Sequence, residues 1–283
     1  MITYLKGDIF SSPAQVLVNT VNTVGVMGKG LALEFKRRYP DMFKKYQSFC
    51  DQKKFDIGNL FLWKGEDKWV LLFPTKKHWR NKSKIEYIEK GLQKFVNNFP
   101  RLGIESIAFP RLGCGNGGLA WDDVKPVMEK YLGSLPIKVY IYVDNYNECT
   151  PEYKQPYEMM QWLHKNFYDI SFTMLKEDIL KEININNTLN INGKTVTIEW
   201  NGDCILISNG DKIELKEDEL CEFWNYIRDS GVIKFDNIPE RFSRYAEYFL
   251  AIMKKLEYLQ GVIISQNGVD FENGSNGVQY IKR

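Results

Sequence analysis

Val16-Leu17-Val18-Asn19-Thr20-Val21-Asn22, followed by Gly25-Val26-Met27-Gly28-Lys29-Gly30, is the stretch on which the fold turns. A β-branched apolar run reads as a buried strand, and the glycine-rich loop after it opens into a helix from Leu31 to Arg38, stopped by Pro40. The pattern recurs downstream. Ser106–Pro110 reads as a strand, Gly113-Cys114-Gly115-Asn116-Gly117-Gly118 as a second glycine-rich loop, and Trp121–Leu132 as the helix behind it. A strand–loop–helix unit of this kind points backbone N–H groups and a helix N-terminus at a phosphate, and glycine lets that phosphate approach the backbone. Two such units suggest a diphosphate held from both sides. The first loop, Gly25-x-x-Gly28-x-Gly30, reverses the dinucleotide G-x-G-x-x-G spacing, and no G-x-x-x-x-G-K-[ST] loop is present.

Working outward, Ile2–Leu5 and Lys138–Val143 read as further strands, and Leu60–Trp63 with Trp69–Phe73 as a hairpin. Met42–Gln52 reads as a helix. Another is predicted from Ser83 as cap to about Val96, with Glu86 completing a capping box. Strands alternating with helices give an α/β fold with a mixed, mostly parallel sheet in three α/β/α layers.

The texture changes near Asn145–Pro151. Beyond it one helix is predicted over Tyr157–Ile183. Asn-Gly pairs at 192–193, 201–202 and 209–210 then predict tight hairpins, because both residues tolerate positive φ. Helices over Glu217–Asp229 and Pro239–Leu259 and strands at Val262–Ser265 and Val278–Ile281 complete a smaller α+β region with winged-helix character. The predicted domains are 1–148 and 157–283.

Apolar residues make up 44% of the 283 and charged residues 26%, ordinary for a globular protein. The net charge of +2 hides a split. Residues 1–150 hold 23 basic and 15 acidic side chains, +8, and residues 151–283 hold 15 and 21, −6. A basic half suits a phosphate-bearing ligand or nucleic acid, and an acidic half a basic protein surface, unless both are simply solvated faces. The five cysteines, at 50, 114, 149, 204 and 221, form no C-x-x-C pair. That argues against a disulfide framework and a zinc site, and for a reduced cytoplasmic location. No segment approaches the ~18 apolar residues of a membrane span, and the N-terminus shows no signal-peptide pattern.

Gly7-Asp8-Ile9, Val18-Asn19-Thr20-Val21-Asn22, Gly28-Lys29-Gly30-Leu31-Ala32 and Pro110-Arg111-Leu112-Gly113-Cys114-Gly115 together resemble the macrodomain family over residues 1 to about 145. Phe35-Lys36-Arg37-Arg38-Tyr39-Pro40 and Phe73-Pro74-Thr75-Lys76-Lys77-His78-Trp79-Arg80 resemble its DarG branch. These are DNA ADP-ribosyl glycohydrolases, antitoxins of DarT, related to the human terminal ADP-ribose protein glycohydrolase. The resemblance implies that Asp8 and the Ile9 N–H contact adenine. It implies that Asn22 with Gly28, Lys29 and Gly30 surrounds the distal ribose, and that Gly113, Cys114, Gly115, Asn116 and Gly117 wrap the diphosphate. Asp8 also reads as a strand-end cap, and Asn22 as a turn residue.

Lys76 matches the branch's catalytic lysine. A lysine amine can attack the anomeric carbon if burial or neighbouring cations such as Lys77 and Arg80 lower its pKa. Adjacent strand residues face opposite sides, so Lys77 competes for the role. The human relative's loop aspartate is replaced by Gly117, which leaves the general acid unassigned. His78 and Trp79 suit stacking on a base, or ordinary packing.

The function this implies is removal of ADP-ribose from thymidine-linked sites in single-stranded DNA, reversing a toxin. ADP-ribose is the ligand or product; no cofactor and no metal are expected. The C-terminal region would bind a DarT-like toxin, though its sequence is not one we match to the branch. The rival readings are a non-catalytic ADP-ribose or nucleotide-signal module with a C-terminal effector, and a hydrolase of protein-linked ADP-ribose esters or ADP-ribose-1″-phosphate.

Overall fold

The computed structural model describes residues 2–143, 150–191, 193–209, 211–265 and 275–280. The chain forms two compact units, Met1–Leu163 and His164–Arg283. Among the described residues no helix is long and apolar enough to cross a membrane.

The first unit is built on a six-stranded sheet. Its strands are β1 (Ile2–Leu5), β2 (Val16–Asn22), β3 (Phe61–Lys64), β4 (Trp69–Lys76), β5 (Ser106–Pro110) and β6 (Lys138–Tyr142), in the order β1-β6-β5-β2-β4-β3. All pairings are parallel except β3 with β4. Its helices are α1 (Gly30–Arg38), α2 (Pro40–Asp51), α3 (Ile85–Leu102) and α4 (Trp121–Leu132), and α5 (Pro156–Lys165) follows, ending two residues past the unit's last residue, Leu163.

Side chains alternate across each strand, so β2 feeds two cores. Val16 and Val18 pack with Ile88, Leu92 and Phe95 of α3 and with Val124 and Met128 of α4. Leu17 and Val21 pack with Phe35 of α1 and with Met42 and Tyr46 of α2. The result is the α/β/α sandwich and mostly parallel sheet read from the sequence. The C-terminal ends of β2, β4, β5 and β6 share one edge, where ligands bind in open α/β sheets.

The start of α3 differs from the sequence reading. Lys84 occupies the cap position and makes no side-chain cap bond. Ser83 instead donates its backbone N–H to the Gly117 carbonyl at 2.9 Å, and its buried hydroxyl finds no partner among the described atoms. Ser83 is a brace for the second glycine loop and not a helix cap. α3 also runs past Val96 to Leu102, because Phe99 buries a further turn before Gly103 ends it at φ +72°.

In the second unit α6 (Phe172–Ile185) precedes an antiparallel meander, β7 (Thr188–Ile191), β8 (Lys194–Asn201), β9 (Cys204–Asn209) and β10 (Asp211–Lys216). Its hairpins join where the Asn-Gly pairs predict. Gly193 and Gly202 carry φ +79° and +64°, while residues 192 and 210 lie outside the described set. Then follow α7 (Glu217–Ser230), β11 (Val232–Lys234), α8 (Glu240–Ser243), α9 (Ala246–Lys255), β12 (Leu259–Ile264) and β13 (Ser275–Tyr280). The last strands make a second sheet, β11-β13-β12.

Two predicted helices are broken. Between α5 and α6 the Ile170 carbonyl accepts Trp224 Nε1 at 3.1 Å and Arg228 Nη1 at 2.9 Å, and Ser171 caps α6 through the Met174 N–H. That carbonyl therefore serves α7 and not a continuing helix. Between α8 and α9, buried Tyr245 leaves helical geometry (φ −133°, ψ −3°) and donates its hydroxyl to the Glu219 carbonyl.

Candidate active site

A cavity of about 230 Å³ lies at the C-terminal edge of the first sheet. It is lined by both glycine loops, by the ends of β2, β4, β5 and β6, and by Glu152. Gly30 opens α1 at φ +57°, and a methyl group there would press to 2.8 Å of Asn116 Nδ2. The two loops thus close on each other across the cleft, and a side chain at residue 30 would hold them apart.

The second loop is a chain of backbone turns. Cys114 N–H bonds Arg111 O at 3.2 Å, Gly118 N–H bonds Gly115 O at 3.1 Å and Leu119 N–H bonds Gly113 O at 3.0 Å, with Gly113 at φ +70°. Gly113, Gly115, Asn116 and Gly117 line the cavity. The Cys114 thiol faces the Leu112 carbonyl at 3.6 Å, and burial pushes its pKa up to about 11, so it stays a neutral thiol at neutral pH. Cys114 and Gly28 are absent from the lining, whereas Lys29 and Gly30 belong to it.

Asn22 organises the first loop. Its Nδ2 donates to Val26 O at 2.7 Å, and its Oδ1 accepts Val24 N–H, Val26 N–H and the Tyr46 hydroxyl. The residue shapes the wall of the cavity it lines. Asp8 caps a 3-10 turn over Ile9–Ser11 by accepting the Phe10 N–H at 3.0 Å; Gly7 and Ile9, not Asp8, line the cavity.

Lys76 ends β4 beside Asn22, where the β2 register shifts. It is 5% exposed, and its Nζ lies 3.2 Å from Glu152 Oε2 and 3.4 Å from Trp79 O. Burial lowers its pKa, and the Glu152 carboxylate opposes that fall. Lys77 is exposed and gives its carbonyl to Thr23. The cavity is thus reached by Lys76, the last residue of β4, and not by Lys77 beyond the strand's end. Trp79 has no exposed surface; Arg80 lies over its ring at 4.5 Å and His78 beside it at 5.3 Å. In this arrangement it packs as core and offers no face to a base, while His78 is half-buried.

Glu152 is the residue the sequence reading missed. It starts a 3-10 turn, Glu152–Lys154, and is 8% exposed. Lys29 Nζ holds this turn through Thr150 O at 2.7 Å and Gln155 Oε1 at 3.2 Å. Burial raises its carboxyl pKa, countered by Lys76, Lys29 and His78. No local motif marks it. Among the described residues no group of three or more His, Cys, Asp or Glu could hold a metal ion.

The Macro domain family model matches residues 18–128. The chain is 43% identical over 147 residues to a DNA ADP-ribosyl glycohydrolase of Thermus aquaticus, covering 50% of this chain and 41% of that one. The solved macrodomain of Mycobacterium tuberculosis DarG superposes with a TM-score of 0.50 at 46% identity, covering 51% of this chain and 99% of that one. Thermosipho africanus DarTG, solved in complex with ADP-ribose, gives a TM-score of 0.50 at 43% identity, covering 53% of this chain and 43% of that one. The chain spans about two fifths of the length of the DNA ADP-ribosyl glycohydrolases it matches. With nearly the whole of a solved macrodomain reproduced at this identity, on the sheet order and paired glycine loops described above, the chain belongs to the macrodomain family.

Proposed function

We propose that the first unit binds ADP-ribose across its two glycine loops and hydrolyses it from modified DNA, with Lys76 as the nucleophile. The observation that carries this reading is the buried Lys76 amine in the wall of a cavity whose other walls are glycine loops. Burial disfavours the ammonium form, which works against a lysine kept merely to hold phosphate. A nucleophilic lysine needs the loss of that charge. The Thermus and Mycobacterium relatives carry the name DNA ADP-ribosyl glycohydrolase, and the Thermosipho structure holds ADP-ribose.

On this reading, Gly113–Gly117 take the diphosphate, Asp8 and Ile9 the adenine, and Asn22 with Gly28, Lys29 and Gly30 the distal ribose. Lys76 attacks the anomeric carbon, and the bond to a thymidine ring nitrogen breaks. The acidic second unit serves as the docking half for a DNA ADP-ribosyltransferase toxin. The −6 charge of residues 151–283 suits a basic DNA-binding face, and a Thermosipho relative is named as a transferase–glycohydrolase fusion. Failure of residues 151–283 to co-purify with such a transferase would count against docking.

The test of the activity is turnover. Lys76→Ala should abolish release of ADP-ribose from a thymidine-modified single-stranded oligonucleotide while calorimetric binding of ADP-ribose stays nearly intact. A wild type that binds but never turns over points to a sensor. Faster release from glutamyl-linked ADP-ribose or from ADP-ribose-1″-phosphate would reassign the substrate.

A further inference from the structure

We propose that Glu152 is the proton partner of Lys76, taking the proton that frees the amine and returning it to the departing base. The inference rests on the reading of Lys76 as nucleophile.

The observation is a carboxylate delivered by residues beyond the segment that the family model matches, onto an amine inside the cleft. Glu152 Oε2 and Lys76 Nζ are 3.2 Å apart, and each residue is under a tenth exposed. Both glycine loops hold the turn that bears it. From the first, Lys29 reaches the Thr150 carbonyl and Gln155. From the second, Gly118 leaves so little room that a methyl group would overlap the Tyr153 hydroxyl. Tyr153 also lies under the Lys82 ammonium at 5.5 Å. The carboxylate is thus positioned by the same loops that would grip the ligand.

Desolvation penalises both charges of this pair, and moving one proton from nitrogen to oxygen removes both penalties. The groups that bear on Glu152 are Lys76 on β4, His78 after it, Lys29 before α1 and the Tyr46 phenol on α2. Proton transfer leaves a neutral amine and a neutral acid. The amine forms its bond to the ribose anomeric carbon as the carbon–nitrogen bond to the base breaks. The electron pair leaves with the base, which takes the Glu152 proton. The restored carboxylate accepts the proton of the new ammonium adduct. The ribose ring opens to an imine, its ring oxygen leaving as hydroxyl, and water then hydrolyses the imine to ADP-ribose and free Lys76. Water is the only co-reactant. Glu152 thereby supplies the carboxylate that the second loop, with Gly117, does not carry.

The full chain tests this with Glu152→Gln, Glu152→Asp and Lys76→Ala on an ADP-ribosylated single-stranded oligonucleotide. Glu152→Gln should lower kcat by roughly 10²–10⁴-fold, with ADP-ribose affinity nearly unchanged. Its kcat should climb with pH, as bulk hydroxide replaces the lost acceptor, where the wild type is flat. Glu152→Asp, a methylene shorter, should give an intermediate kcat with the wild-type pH profile, which a merely structural role would not do. Borohydride should trap less Lys76–ADP-ribose adduct in Glu152→Gln at neutral pH and recover it at high pH. A wild-type kcat and pH profile in Glu152→Gln overturns the relay while leaving the lysine intact. Tighter ADP-ribose binding with faster turnover in that variant also overturns it, because Glu152 would then be a plug. An active Lys76→Ala instead sinks the underlying reading.

Discussion

Consider Gly117→Ala. A Cβ on this residue would sit 2.8 Å from the Gly113 carbonyl carbon, closer still to its oxygen, and equally close to Ser83 Oγ. The Ser83 hydroxyl can rotate away, but the Gly113 carbonyl cannot, because it is backbone and accepts the Leu119 N–H at 3.0 Å. Real Cβ contacts essentially never fall below 3.0 Å, so the loop must spread by roughly 1 Å, an overpacking that costs ~1–3 kcal/mol. That spread also pulls on the bond from Ser83 N–H to the Gly117 carbonyl at 2.9 Å. For a unit of this size the cost lowers the melting temperature by roughly 2–4 °C per kcal/mol. If Gly113–Gly117 cradle the diphosphate, ADP-ribose affinity falls by ~5–150-fold for the same energy.

Gly115→Ala is the control. It lines the same cavity, yet an added methyl meets nothing within 4 Å. The fold should keep its melting temperature, while the methyl keeps a phosphate off the backbone. Thermal melts of the full chain with and without ADP-ribose, together with calorimetry, read both effects. Unchanged melting and affinity in Gly117→Ala would refute the packing argument. Wild-type affinity in Gly115→Ala would refute the cradle.

Three further outcomes are expected. The double variant Lys76→Met/Glu152→Gln should be at least as stable as the wild type at pH 7, by up to ~1–4 kcal/mol, because it removes a buried ion pair without orphaning a charge. The raised Glu152 contributes stability that is full below its unfolded pKa of 4.5 and lost as pH rises through its folded value. The lowered Lys76 contributes stability that is full above 10.5 and lost as pH falls through its folded value. The variant's advantage should therefore shrink towards both extremes in melts across pH, and an advantage growing towards pH 4 would contradict this. Asp8→Ala should cost about 1 kcal/mol in denaturant titrations through loss of the Phe10 cap, while Asp8→Asn keeps the cap; if neither variant weakens ADP-ribose binding, the adenine contact is wrong. Phe223→Ala removes a ring packed at 5.0 Å from Phe242 and 5.5 Å from Phe249 and should destabilise the second unit by ~3–5 kcal/mol; a melt unchanged by it would mean that this aromatic cluster is not the unit's core.

The sequence by itself determined the sheet, the two glycine loops and the lysine. These are local features: a β-branched run followed by glycines states its geometry within about fifteen residues, and Asn-Gly turns do so within two. It also pointed to Lys76 as the candidate lysine by motif position, with Lys77 as the competitor. Only the strand pairing, with Lys76 beside Asn22, decided which one turns inward. Ser83 has the sequence of a helix cap, yet its N–H is claimed by Gly117, 34 positions on. Trp79 looks like a stacking platform until its neighbours enclose it. Glu152 is the sharpest case. It meets Lys76 across a separation of 76 residues, from a turn with no motif of its own. Its role follows from burial and proximity, and both come into being only when the chain folds back on its own cleft.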